Sequence, residues 1–152
     1  MGDAMFTRIV IPVASVLDAR RTCTAVLPHL DRENSTAHIV HVIEKTRGAP
    51  DKASVEQREQ YADRIFDTTI ETFVNRDFSA FETHLCYGSD VAETILETCE
   101  TVDATAVVFV TRNTSRWKRF LTGDTALQLI TESQVPTIVL PNPEKDSAID
   151  VE

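Results

Sequence analysis

The residues best placed to do chemistry lie between Val107 and Pro141, in the stretch VVFVTRNTSRWKRFLTGDTALQLITESQVPTIVLP. An apolar run leads into a loop carrying Arg112, Arg116, Lys118 and Arg119 with no acidic residue. Gly123, Asp124 and Thr125 then open a helical pattern, and a second apolar run closes the stretch. Strand, loop, helix start and strand is a layout in which an α/β fold holds a phosphate. The first N–H groups of a helix have no intrahelical partner and point toward an incoming anion. Gly123 is the only glycine available for such an approach, and Asp124 works against it. A carboxylate there caps the helix start itself and repels a phosphate. The four basic side chains offer another means, an anion clamp of guanidinium groups in place of backbone amides. Trp117 beside them can stack on a base or pack under an arginine. The competing reading is a solvated loop that offsets an acidic body, because exposed ion pairs are common and individually weak.

Other candidates carry less. His38 and His41 fall on one apolar run and are read as sharing a face. Their flanks offer no HxxxH pair or clustered carboxylate to complete a site, so no metal is expected. His29 follows a proline near a helix end, and His84 is assigned to the exposed face of an edge strand. Ser15 and Ser89 sit near turns, outside any G-x-S-x-G elbow. Cys23, Cys86 and Cys99 are odd in number, lack CxxC spacing and have apolar neighbours, which implies buried free thiols in a reducing cytosol. No carboxylate pair can be assigned to acid–base work, and no catalytic residue is expected.

The elements that position these residues alternate along the chain. Thr7–Val13 is a near-continuous apolar run, as for a strand covered on both faces. Val16, Ala19, Cys23, Val26, Leu27 and Leu30 recur at helical spacing, with Pro28 set to kink or end that helix. Ala37–Ile43 is the second strand. A long amphipathic helix follows, marked by Val55, Ala62, Ile65, Phe66, Ile70, Phe73 and Val74. Ala80–Tyr87 alternates, with Phe81, Thr83 and Leu85 on one face and Glu82, His84 and Cys86 on the other, which suits a half-exposed edge strand. Gly88 breaks it, and Ser89 or Asp90 caps a helix carrying Ala92, Ile95, Leu96 and Cys99. Ala104–Val110 is the fourth strand. The last helix is expected to be capped by Asp124, with Leu127 and Ile130 inward, before a final strand at Thr137–Leu140.

Five strands alternating with helices imply one α/β domain built on an open parallel sheet with helices on both faces. The most apolar strands, the first and fourth, belong at the centre, giving the order 3-2-1-4-5. Chain direction then reverses between strands one and four, and ligands in such sheets sit at the carboxyl ends flanking that switch point. Here that place is lined by Pro12–Ser15 and Val110–Asn113. The fifth strand is an apolar edge that invites pairing with a second copy through Thr137, Ile138, Val139 and Leu140. Residues 1–5 read as an extension, 6–141 as the domain and 142–152 as an acidic, disordered tail.

Composition bounds the function. The chain of 152 residues is 42% apolar and 26% charged, with 24 acidic against 15 basic residues and a net charge of −9. That balance disfavours nucleic-acid binding, which needs net positive charge at the backbone-binding surface. Many carboxylates with few lysines suit a cytosol of high salt, as in a halophile. No apolar run reaches the ~20 residues of a membrane span, and Met1–Phe6 lacks a signal-peptide pattern, so a cytoplasmic location is expected.

Over roughly Phe6–Pro141 the sequence resembles the universal stress protein family. The pieces that carry the likeness are RIVIPV with its following helix, HIVHVI, GSDVAETILE leading into ATAVVFV, and SQVPTIVLP. The resemblance implies the 3-2-1-4-5, Rossmann-like sheet and, commonly, a dimer paired through the last strand. Many members bind ATP through a loop written Gly-x-x-Gly, nine residues, then Gly-Ser or Gly-Thr. Laid on this chain, the early glycines fall at Val110 and Asn113, and nine residues separate Asn113 from Gly123. Spacing is kept and chemistry is changed. Backbone N–H groups must approach phosphate oxygens closely, which glycine permits and a β-branched valine resists. The hydroxyl position is Asp124, with Thr125 after it. The aspartate that usually holds the nucleoside, after the first strand in PVDGS, is Ala14 in PVAS, beside Pro12 and Val13. Val42 aligns with the backbone contact to adenine.

The function expected from this pattern is a non-enzymatic stress-response or regulatory dimer that does not bind ATP in the usual way, acting through a protein partner or a small anionic ligand. The alternative is a nucleotide-binding (ATP or AMP) regulator that uses the basic loop Arg112–Arg119. A phosphate-ester hydrolase ranks last.

Overall fold

A computed structural model describes residues 4–45, 52–110 and 123–143. The basic loop, including Arg112, Asn113, Arg116, Trp117, Lys118 and Arg119, lies outside the described residues, as does the tail beyond residue 143. After a short 3-10 turn, Ala4–Phe6, the strands are β1 (Arg8–Pro12), β2 (Thr36–Glu44), β3 (Phe81–Gly88), β4 (Ala106–Val110) and β5 (Thr137–Leu140). Between them run α1 (Val16–Val26), α2 (Lys52–Asn75), α3 (Val91–Val102) and α4 (Gly123–Glu132). All pairings are parallel, in the order β3-β2-β1-β4-β5. This is the sheet expected from the sequence.

Two cores cover the two faces. Ile9, Ile11 and Val13 with Ala106, Val108 and Val110 meet Ala19, Cys23 and Val26 of α1 and Ile65 and Phe73 of α2. Val10, Val40, Val107 and Phe109 meet Ala92, Ile95 and Cys99 of α3 and Leu129 of α4. Alternation along each strand sends successive side chains to opposite cores, so β1 and β4 are apolar at every described core position. Helix ends follow local chemistry. α1 stops at Val26 and a 3-10 turn, Leu27–His29, takes over at Pro28, which lacks an N–H to continue the ladder. α3 starts at Asp90, whose side chain accepts from the Glu93 N–H at 3.1 Å. Gly88 ends β3 where a Cβ would lie 2.0 Å from Thr94 Oγ1, so a side chain is excluded there by packing.

Several expectations are corrected. Leu127 and Ile130 of α4 are 59% and 54% exposed, whereas Leu129 is fully buried. The buried stripe of that helix is therefore carried by Leu129 and Ala126, one position out of phase with the expected one. Likewise Thr69 of α2 is buried while Ile70 and Val74 face outward. α4 is described over Gly123–Glu132, so the backbone of Asp124 lies within it, and the chain ahead of Gly123 lies outside the described residues. Asn142, read as the start of the tail, is buried. All three cysteines are free, but Cys86 is only half-buried. Burial pushes the thiols of Cys23 and Cys99 up to about 12 and about 11, so both stay protonated and unreactive. Among the described residues no helix is long and apolar enough to cross a membrane.

Candidate functional site at the switch point

β1 and β4 are neighbours in the sheet, while the chain leaves β1 for α1 on one face and reaches α4 on the other. Their carboxyl ends flank the switch point. Pro12, Val13 and Ala14 occupy one side, and their backbone is heavily engaged. The Val13 N–H donates to the Val40 carbonyl at 2.9 Å. The Val13 carbonyl lies 2.9 Å from His41 Nδ1, which donates to it in the Nδ1–H tautomer. The Ala14 N–H donates to Asp18 Oδ2 at 2.9 Å.

The last bond belongs to a helix cap. Ser15 is the N-cap of α1, in extended conformation, and its Oγ accepts from the Asp18 N–H at 3.0 Å. Asp18 returns its carboxylate to Ala14 and also accepts from Thr22 Oγ1 at 3.4 Å. This is a reciprocal capping arrangement in which a buried acid satisfies the donors at its own helix start. Asp18, the third residue of α1, thus brings a buried carboxylate to this end of the sheet, with Oδ2 on the Ala14 N–H.

Val110 closes β4 opposite Leu140. Its side chain is buried in the core beneath α1 and α2, among Ile11, Val13 and Val108. Gly123, Asp124 and Thr125 form the first turn of α4. As the crossover between parallel strands, α4 runs back along the sheet, which sets that turn at the strand carboxyl ends. Val42 borders a cleft of about 600 Å³ beside the end of β2, lined also by His41, Glu44, Arg58 and Tyr61. Arg58 donates to the Glu44 carbonyl at 2.8 Å, and the Tyr61 hydroxyl accepts from the Val16 N–H at 3.3 Å, tying α2 to both strand ends. Burial lowers the pKa of His41 against the raising effect of its bond to Val13, and so favours the neutral ring, which keeps that bond as its Nδ1–H tautomer.

The histidines depart most from expectation. His38 and His41 lie on opposite faces, because three positions along a strand reverse the side-chain direction. His41 meets Val13, whereas His38 Nδ1 lies 2.9 Å from Nε2 of His84. His84 is only partly exposed, at 27%, and is bonded across to β2. Glu82 Oε1 stands 3.8 Å from His38 Nδ1 and 3.7 Å from His84 Nε2. A His–Glu–His cluster is the arrangement that reading each strand separately missed. The available signal was the E-x-H pair of β3, which shares a face, facing a histidine on the neighbouring strand.

A five-stranded parallel sheet in this order, with helices on both faces and a switch point between β1 and β4, defines a Rossmann-like α/β protein. The model of the universal stress protein family matches residues 5–141, and the chain belongs to that family. Among solved structures it is similar to a protein of this family from Burkholderia pseudomallei, at 18% identity and a TM-score of 0.67, covering 92% of this chain and 99% of that one. It is also similar to the universal stress protein UspA from Lactobacillus plantarum, at 16% identity and a TM-score of 0.66, covering 91% and 99%. The universal stress protein from Archaeoglobus fulgidus in complex with dAMP matches at 18% identity and a TM-score of 0.57, covering 90% and 98%. At these identities the likeness is one of fold. No curated protein matches the chain by sequence.

Proposed function

We propose that this chain is a non-enzymatic stress-response or regulatory protein of the cytoplasm that acts as a homodimer and does not bind ATP in the usual way. The observation that carries this reading is the state of the Val13–Ala14 backbone. Its N–H groups and the Val13 carbonyl are taken by Val40, Asp18 and His41, and the side chain at position 14 is a methyl group. A nucleoside entering there gains no carboxylate contact and must compete with bonds already made, each worth about 1 kcal/mol or more. In the sequence Asp124 follows Gly123 where the family's loop usually carries a hydroxyl, and a carboxylate at that position disfavours a phosphate.

The dimer is proposed through β5. The exposed apolar side chains Val139, Leu127 and Ile130 lie on that edge strand and the helix before it. A free apolar strand edge is stabilised by pairing. Light scattering should give twice the chain mass, and a monomer would refute the pairing.

The second reading is a nucleotide-binding regulator that uses Arg112–Arg119. It is favoured by the dAMP complex of the Archaeoglobus fulgidus relative and by the cleft beside Val42, whose volume is within the range of ligand sites. Micromolar binding of ATP or AMP that is lost in Arg112→Ala supports it over the first. Phosphate release above background, abolished by the same substitution, would point to a hydrolase.

A further inference from the structure

We propose that His38, Glu82 and His84 form a binding site for one divalent transition-metal ion of the zinc class. The three residues come from adjacent parallel strands in fixed register, with His38 opposite Glu82 and Val40 opposite His84. All three side chains project to the face covered by α3, toward the amino ends of β2 and β3. That is the opposite end of the sheet from the switch point, so the site stands apart from the function proposed above. One ligand atom from each residue lies within 4.8 Å of the others.

Metal bonds of about 2.0–2.2 Å at tetrahedral angles place ligand atoms roughly 3.3–3.5 Å apart. The observed separations are 2.9, 3.7 and 3.8 Å, so rotamer adjustments of about 0.5 Å reach that geometry. The donor set is two imidazole nitrogens and one carboxylate oxygen, which suits zinc, nickel or copper better than calcium or magnesium. Burial is graded in the useful direction. The His38 side chain is 7% exposed and anchors the site, while Glu82 is 65% exposed and leaves the outer side open for water or another ligand.

The His38–His84 bond needs one ring to donate a proton to the other. Metal binding replaces that bond once the shared proton moves to the outward nitrogen of its own ring, so two neutral rings release no proton. The nearby Arg8 guanidinium is drawn away by Asp103, donating from Nε to its carbonyl at 2.9 Å and lying 3.5 Å from its carboxylate.

The test is a calorimetric titration of the full chain, free of any polyhistidine tag and stripped by chelator, with zinc chloride. One equivalent should bind with micromolar or tighter affinity. His84→Ala should weaken that affinity by at least about 100-fold and Glu82→Gln by about tenfold, since even outer-shell changes cost 10–100-fold. Cys86→Ser and His29→Ala should leave it unchanged. Imidazole resonances of His38 and His84 should shift in the wild-type protein while those of His29 and His41 do not, which keeps the result independent of any folding defect in a variant. Absence of stoichiometric binding, or binding insensitive to His84→Ala or dependent on Cys86, overturns the site.

Discussion

The two edges of the sheet differ in their chemistry. β3 ends one side with Glu82 and His84 turned to one face, and with Tyr87 hydrogen-bonded to Glu59 of α2. β5 ends the other with Ile138 and Val139, flanked by the outward Leu127 and Ile130 of α4. Charged and polar groups blunt a strand edge, whereas an apolar edge invites another chain. The difference teaches that a parallel α/β sheet need not protect both borders alike. At one edge His84 and Tyr87 bond to groups within the chain, and at the other we propose that a second copy adds.

α4 makes the sharpest test, because it carries both roles two residues apart. Leu129→Ala should destabilise the fold by about 2–5 kcal/mol, read as a lowered midpoint in chemical denaturation, since it opens a cavity under a fully buried side chain. Leu127→Asp combined with Val139→Asp should leave the fold in place, with an unchanged circular dichroism spectrum, and convert the proposed dimer to monomer by light scattering. If the double substitution leaves the mass unchanged, β5 is not the pairing edge. At the β3 border, Gly88→Ala should cost about 1–3 kcal/mol, because the new Cβ meets Thr94 Oγ1. That hydroxyl is held by a bond to the Asp90 carbonyl at 2.9 Å and cannot turn away freely. A neutral result there would show that the β3–α3 junction yields more easily than its packing implies.

The smallest effect concerns pH. The pKa values of His38 and His41 are both lowered from 6.5, mainly by burial. The unfolded chain therefore takes up protons first as pH falls, so stability is fully present above 6.5 and declines below it toward the depressed folded values. Melting temperature should drop as pH is lowered from 7 to 5, and His41→Gln should reduce that drop. A pH-independent melting temperature over this range would contradict the burial of both rings.

Sequence alone made the sheet legible because β1 and β4 are apolar at nearly every position, which only doubly covered central strands require. It also narrowed the α3 cap to Ser89 or Asp90, of which Asp90 is the cap, and set a kink or end of α1 at Pro28, next to the observed end at Val26, since both act through local backbone chemistry. It missed the inward face of α4 because Leu127, Leu129 and Ile130 crowd one turn, and hydrophobicity alone cannot choose among them. Asp18 was passed over as one acid among 24, although it satisfies the Ala14 N–H. The His38–Glu82–His84 cluster depends on the register between two strands, which single-strand patterns do not contain.

The central proposal, that this chain keeps the family's sheet and does not bind ATP in the usual way, rests on Ala14 and Asp18 at the end of β1 and on Asp124 in the sequence. Calorimetric titration of the wild-type protein with ATP, with and without magnesium and at the salt concentration of greatest stability, tests it most directly. The account predicts no saturable heat at micromolar ATP. Binding of one ATP per chain at micromolar affinity would contradict it.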